Sequence, residues 1–261
     1  METKPKVIIL CGGMGTRLKE ETEFKPKPMV MIGDKPLLWH IMKIYACCGY
    51  YDFILALGYK GDYIKDYFLK QKYYTSDFCL NTKEGKIRDF LCNGFKEDDF
   101  KITFAETGLN TAHGERILKL KKYIPDDLFM VTYGDGVANI DINKLIEFHK
   151  KKNRIATITG VHPASRWGWT RVDNDDLVIQ FDQKPILYDY VNGGFMVFNK
   201  EFFDFLRPGD MIEDALARLI PQKQLALYKH DSFWYGMDTY RDFLHLNELW
   251  EKDPKWKVWD K

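Results

Sequence analysis

Short apolar runs along the chain alternate with segments whose apolar residues recur at helical spacing. Residues 6–10 (KVIIL) are β-branched and stop at a glycine pair, which predicts a buried strand. Residues 37–48 (LLWHIMKIYACC) carry apolar positions at helical spacing and predict a helix. Residues 52–57 (DFILAL) predict a second strand, and residues 62–70 (DYIKDYFLK) a helix with Asp62 as its N-cap. A further apolar run at 128–132 (LFMVT) enters Tyr133-Gly134-Asp135-Gly136, residues 142–151 predict a helix, and 155–160 (IATITG) another strand. Strands alternating with helices argue for a parallel sheet covered by helices on its faces.

Residues 161–200 have a different texture, richer in strand and turn signals. TRVDNDDLVIQF reads as a hairpin around Asn174-Asp175. A small antiparallel lobe over the C-terminal edge of the sheet is expected there. Residues 70–105 are polar, aromatic-rich and weakly periodic, and read as a loop-rich insertion or an oligomer contact. With no repeat, low-complexity tract or linker in view, residues 1–261 read as one domain. It comprises a nucleotide-binding core at 1–160, the lobe at 161–200 and a helical C-terminal part at 201–261.

Composition narrows the class. The 261 residues are 45% hydrophobic and 30% charged, as in a globular protein with a sizeable core. A formal net charge of +1 supplies no general field for nucleic acid, so any anionic ligand needs local positive groups. The apolar run near the start is too short for a secretory signal, and no stretch of about 18 apolar residues suggests a membrane span. Five cysteines without a C-x-x-C pair argue against a disulfide framework or zinc site and fit a reducing cytoplasm.

The strongest chemical signal is Leu10-Cys11-Gly12-Gly13-Met14-Gly15-Thr16-Arg17-Leu18, between a strand and a probable helix turn. Glycines let the backbone approach a phosphate, and N–H groups at a helix start favour anions. A Walker loop is excluded because no G-K-[ST] follows. A dinucleotide fingerprint needs a third glycine near Leu18, which disfavours a reductase. Arg17 and the nearby Lys25-Pro26-Lys27-Pro28-Met29 suit a nucleoside triphosphate instead.

G-G-x-G-T-R-L followed by K-P-K-P-M resembles the sugar-phosphate nucleotidyltransferases. The stretch from Ile32 to Lys43, Tyr133-Gly134-Asp135-Gly136-Val137, Asn192-Gly193-Gly194-Phe195, Met237-Asp238-Thr239 with Arg241-Asp242, and the ending Leu249-Trp250-Glu251-Lys252 are similar to the glucose-1-phosphate cytidylyltransferase branch. The resemblance implies an α/β, Rossmann-like nucleotidyltransferase fold: a mostly parallel sheet flanked by helices, with a small antiparallel sugar-binding lobe. It also implies a homo-oligomer, a hexamer or smaller multimer, and a place in surface polysaccharide precursor synthesis. The reaction implied is attack of a sugar-phosphate oxygen on the α-phosphorus of CTP with loss of pyrophosphate. Positioning and electrostatics then dominate the chemistry, and no protein nucleophile is needed.

The resemblance also assigns residues. Leu10, Gly12, Gly13, Gly15, Thr16 and Gly134 are expected to bind the nucleotide, and Arg17 its β and γ phosphates. Lys27 corresponds to the family's lysine on the attacking phosphate, and Lys25 reads as a supporting surface charge. Asp135 and Asp238 are expected to share one Mg²⁺. Thr111, Gly114 and Arg116 fall in the base-recognition segment, Arg116 as a donor to cytosine, whereas the lone His113 reads as structural. Gly168, Gln183, Lys184, Asn192 and Gly193 belong to the sugar-phosphate side. Relatives carry Glu-Lys-Pro where this chain has Gln183-Lys184-Pro185. The default substrate is glucose 1-phosphate, and a ketose 6-phosphate such as fructose 6-phosphate or a polyol phosphate is the alternative. A non-catalytic nucleotide-binding subunit is expected to lack Lys27 or a metal carboxylate, and this chain keeps them all.

Overall fold

The computed structural model describes residues 4–91, 98–165, 167–183 and 185–260. Its centre is a seven-stranded sheet. In chain order the strands are β1 (Val7–Leu10), β2 (Asp52–Leu57), β3 (Lys101–Glu106), β4 (Leu128–Tyr133), β5 (Ala156–Val161), β6 (Val191–Asn199) and β7 (Leu225–Lys229). The spatial order is β7-β5-β6-β4-β1-β2-β3. β1 pairs in parallel with β2 and β4, and β2 in parallel with β3. β6 runs antiparallel to both of its neighbours, β4 and β5, and β7 returns parallel to β5.

Alternation along β1 explains the three layers. Val7 and Ile9 enter one apolar core and Ile8 and Leu10 the other, so the strand is buried on both faces. The first core packs under the helices α1 (Leu37–Ala46) and α4 (Ile142–Lys152) and holds Trp256. The second packs under α3 (His113–Lys119) and α5 (Ile212–Leu219). The remaining long helices are α2 (Gly61–Thr75) and α6 (Tyr240–Lys252). Among the described residues no helix is long and apolar enough to cross a membrane.

His40 of α1 is fully buried in a group of indoles. Its Nε2 lies 2.9 Å from the Ile32 carbonyl and its Nδ1 accepts from Trp256 Nε1 at 3.3 Å. Trp39, Trp250, Trp256 and Trp259 all place rings against it. The tail after α6 is thereby fastened to α1. Burial pulls the imidazole pKa from 6.5 down to about 4, against the opposing hydrogen bond that the ring donates to the Ile32 carbonyl.

Four sequence expectations are corrected. Asp62 lies inside the first turn of α2, and the N-cap is Lys60, held at φ 49°. Residues 70–105 are not loop-rich throughout: α2 runs to Thr75, a hairpin pairs Asp77–Asn81 with Lys86–Leu91, and β3 completes the main sheet. The expected lobe is smaller than 161–200. The hairpin Gly168–Val172 with Val178–Gln183 forms its own sheet, while Val191–Asn199 is a central strand of the main sheet. The C-terminal part likewise contributes β7 to that sheet as well as helices.

Candidate active site

A pocket of about 190 Å³ opens at the C-terminal ends of β1 and β4. Open α/β sheets bind ligands at this end of their strands. Leu10, Gly13, Gly15, Thr16, Arg17, Lys27, Gly134, Asp135 and Asp238 line it, together with Cys11, Pro28, His113 and Tyr133. Most of the residues expected on the nucleotide and metal side therefore meet in one place.

Local sequence explains the loop. Gly15 sits at φ 62°, where an L side chain is strained. Its carbonyl accepts from the Leu18 amide at 3.0 Å and from Thr22 Oγ1 at 3.1 Å, which turns the chain back on itself. Gly13 is exposed, and a Cβ there meets nothing within 4 Å, so its backbone faces open space. Gly134 is different: a Cβ would stand 2.8 Å from Pro28 Cγ and 2.9 Å from the Leu10 carbonyl oxygen. Only glycine lets the end of β4 close against β1 and the K-P-K-P turn.

Two acidic residues far apart in sequence meet through a short strand pair. Gly136–Ala138 pairs antiparallel with Trp234–Gly236, and the Met237 amide donates to the Asp135 carbonyl at 2.8 Å. Asp238 is not the N-cap of α6. Thr239 fills that position, in a capping box with Asp242, and leaves the Asp238 carboxylate to the pocket.

Between the carboxylates stands Lys27. Its Nζ donates to Asp135 Oδ2 at 2.6 Å and to Asp238 Oδ1 at 2.9 Å, and its side chain is only 12% exposed. Arg17, largely exposed, donates from Nη1 to Asp238 Oδ2 at 3.1 Å. The two carboxylates thus share one cation and accept a second at the rim. Lys25 turns away to pair with Glu21 at 2.9 Å.

Arg116 is held by the protein itself. Its side chain is buried, and Nη1 donates to the Leu57 and Gly108 carbonyls and to Thr107 Oγ1. Nη2 donates to the carbonyls of Gly12 and Leu109, both at 3.1 Å. A Cβ on Gly12 would lie 2.2 Å from the guanidinium. The terminal donors are engaged by backbone carbonyls and the Thr107 hydroxyl, so Arg116 ties the glycine loop to the turn at 107–109, with Nε left buried without a hydrogen-bond partner among the described residues. Thr111 and Gly114 do not line the pocket either. The Thr111 hydroxyl donates to the Thr107 carbonyl at 2.6 Å, and Gly114 packs against the backbone of Asp210 and Met211.

The sugar-side residues form a separate group. Gly168 and Gln183 are cross-strand partners in the exposed hairpin, and Lys184 lies outside the described residues. Asn192 accepts from the Gly194 amide at 3.0 Å, and the Gly193 carbonyl accepts from Trp234 Nε1 at 2.8 Å. Gly194, at φ 87°, lies so close to Tyr133 that a Cβ would fall 2.6 Å from the ring. The N-G-G stretch of β6 therefore backs the pocket wall without lining it.

Three wall residues escape the sequence reading. Tyr133 donates to Glu213 of α5 at 2.9 Å, and burial, followed by that carboxylate, holds its phenol protonated. His113 packs against the Tyr133 ring, with its pKa lowered chiefly by burial. Cys11 is buried with its thiol pushed up, which disqualifies it as a nucleophile. The available signal was position: each is adjacent to or inside a motif already singled out.

Comparison with known proteins agrees with this geometry. The family model described as "Nucleotidyl transferase" matches residues 6–253. A probable glucose-1-phosphate cytidylyltransferase of Bacillus subtilis (strain 168) is 43% identical over 259 residues, covering 97% of this chain and all of the relative. The glucose-1-phosphate cytidylyltransferase of Salmonella typhi is 40% identical over 260 residues, covering 98% and 100%. Among solved structures, HddC from Yersinia pseudotuberculosis superposes with a TM-score of 0.67 at 25% identity, covering 94% of this chain and 99% of that one. The chain is a sugar-phosphate nucleotidyltransferase, a member of the nucleotidyl transferase family with glucose-1-phosphate cytidylyltransferases among its full-length relatives.

Proposed function

We propose that the protein joins CTP to glucose 1-phosphate, giving CDP-glucose and pyrophosphate. The observation that carries this reading is the Lys27 ammonium shared by Asp135 and Asp238 beside an open glycine loop. Full-length identity to named cytidylyltransferases supports the choice of nucleotide and sugar.

Both reactants are anions, so the protein's task is to neutralise charge and align them. Backbone N–H groups of the glycine loop hold the triphosphate, and Arg17 at its exposed end takes the β and γ phosphates. Lys27 holds the attacking phosphate in line with the α-phosphorus. Arg116 acts as a positioning residue, fixing Gly12 against the adjoining turn. The hairpin bearing Gly168 and Gln183, with Asn192 and Gly193 at the start of β6, covers the sugar.

Asp135 and Asp238 fit Mg²⁺. They are oxygen donors that already share one positive charge, and among the described residues no group of three or more His, Cys, Asp or Glu offers a fuller cage. Mg²⁺ commonly takes one or two carboxylates and completes its shell with phosphate and water. Bound there, it supplies further positive charge against the phosphate oxygens.

The reading extends to a homo-oligomer working in the cytoplasm on precursors of surface polysaccharide. Exposed Leu177, Val178, Ile179 and Phe181 on the hairpin favour a partner surface. Pyrophosphate release measured with CTP, dCTP, UTP, GTP and dTTP, each against glucose 1-phosphate, fructose 6-phosphate and a polyol phosphate, tests the proposal. CTP with glucose 1-phosphate should lead the panel. A wild-type protein that ignores glucose 1-phosphate yet turns over another sugar phosphate with CTP overturns the sugar assignment.

A further inference from the structure

The hairpin that pairs Gly168–Val172 with Val178–Gln183 is carried on two arms, one leaving β5 after Val161 and one entering β6 at Val191. Every residue of its first strand is exposed, and all but Asp182 of its second. Burial of the hairpin itself therefore does little to fix its pose. Contacts between the arms do not fix it either. The Ser165 amide donates to the Pro185 carbonyl at 2.8 Å, the Leu187 amide to the Pro163 carbonyl at 3.0 Å, and Ala164 bridges Ile186. These tie arm to arm and leave the lobe to turn as a unit.

The root of the lobe is held differently. Val161 and Val191 are paired, and the next residues on the two arms, His162 and Tyr190, place their rings together with centroids 4.2 Å apart. Asp231, just beyond β7, reaches both. Its Oδ1 accepts from the Tyr190 phenol at 2.8 Å and lies 3.4 Å from His162 Nε2. The backbone puts it there, because the His230 amide donates to the Gly160 carbonyl at 2.9 Å and so sets the end of β7 beside the root. Lys229 Nζ stands 5.3 Å from the Tyr190 ring centroid. A third strand thus fastens the two arms where they leave the sheet.

This root borders the sugar side of the site. Tyr190 immediately precedes the stretch Val191-Asn192-Gly193, whose Gly193 carbonyl accepts from Trp234 Nε1. Trp234 in turn belongs to the short strand paired with Gly136–Ala138, next to Asp135.

We propose that Asp231 is a positioning residue for sugar-phosphate binding, a latch that holds Tyr190 and His162 and thereby sets the pose in which the lobe presents Gly168 and Gln183 to the sugar phosphate. The proposal rests on the reading that this hairpin covers the sugar. An unlatched lobe samples other poses, and apparent affinity falls with the fraction that stays competent. None of the three residues lines the pocket of the glycine loop, so the nucleotide half is left as it was. Saturating sugar phosphate gathers the lobe back into its working pose, so kcat is kept.

The test is steady-state kinetics of the full chain with CTP and whichever sugar phosphate leads the wild-type panel. Asp231→Ala should raise KM for the sugar phosphate about three- to tenfold, the scale of a charge-assisted contact at a carboxylate 66% exposed, with kcat and KM for CTP unchanged within about twofold. Tyr190→Phe keeps the ring and loses the phenol, and should show the same split. The double variant should be no worse than Asp231→Ala alone, because both remove one contact. Asp231→Asn keeps an acceptor and should restore most of the loss. Hydrogen exchange of the free protein, read on peptides covering 160–162 and 190–192, should quicken severalfold in Asp231→Ala. That measurement needs no substrate, so it separates failure of the latch from failure of the cytidylyltransferase reading. Unchanged exchange, KM values for both substrates that rise together, or an asparagine variant as impaired as the alanine one overturns the proposal. Where Asp231→Ala does not fold, Tyr190→Phe carries the same comparisons.

Discussion

Replacing Lys27 by alanine separates two consequences that usually travel together. The ammonium makes two charge-assisted hydrogen bonds, at 2.6 and 2.9 Å, from a side chain only 12% exposed. Its loss removes a donor from the attacking phosphate, and turnover should fall by about two to three orders of magnitude, the usual scale for one transition-state donor. The same ammonium also stands between the two carboxylates proposed to hold Mg²⁺. Without it Asp135 and Asp238 lose the cation they share, so the free protein should bind Mg²⁺ more tightly. Each bond to a charged group is worth about 1.5–3 kcal/mol when buried. The Asp135 side chain is 38% exposed, which screens its share. A net gain of about 1–2 kcal/mol remains, or roughly five- to thirtyfold in affinity. Pyrophosphate release measures the first effect, and calorimetric titration of the nucleotide-free protein with Mg²⁺ the second. Near-normal turnover removes Lys27 from the mechanism. Slower turnover with weaker metal binding shows instead that Lys27 merely supports the site's shape.

Asp135→Asn and Asp238→Asn should each depress turnover without unfolding the chain, and the double variant should lose much less than the product of the two, because both serve one ion; full activity in EDTA refutes the metal assignment. Arg116→Met leaves the carbonyls of Gly12, Leu57, Gly108 and Leu109 without a donor, and should cost about 3 kcal/mol or more, a fall in Tm of roughly 10 °C by thermal melting. His40 has a folded pKa lowered from 6.5 to about 4, so its contribution is complete above pH 6.5 and disappears as pH falls toward 4. Urea titrations should show about 3 kcal/mol lost across that window, and His40→Leu should flatten the dependence. Gln183→Glu should leave kcat/KM for glucose 1-phosphate unchanged or improved, and a loss of one to two orders of magnitude would point to a pocket rebuilt for another sugar phosphate.

The parts of this fold that are legible in the sequence share one physical property, burial on both faces. β1, β2 and β4 carry near-continuous apolar runs, and β5 is β-branched and largely buried, because helices cover the sheet on either side, and such runs are easily seen. β3 is an edge strand with exposed Lys101 and Glu106, so KITFAE mixes polar and apolar residues and reads as loop. Val191–Asn199 misleads in the opposite direction. Its glycines look like a turn, yet Phe195, Met196, Val197 and Phe198 lie at the centre of the sheet. The site divides in the same way. Gly13, Gly15, Thr16 and Arg17 fall within five residues, and their spacing alone suggests phosphate. Asp135 and Asp238 meet through a pairing only three residues long, Gly136–Ala138 with Trp234–Gly236, which carries no pattern of its own. Only resemblance could join them in advance. Arg116 shows why resemblance has a limit of its own. A motif places an arginine near a ligand, but whether its donors face the ligand or the backbone depends on which carbonyls the fold brings within reach. Here Gly12, Leu57, Gly108 and Leu109 come from three separate segments, and their convergence on one guanidinium is a tertiary fact. The glycine loop is consequently held from behind by a buried cation while Arg17 and Lys27 reach the pocket carboxylates, a division among three basic residues that their positions in the chain do not reveal.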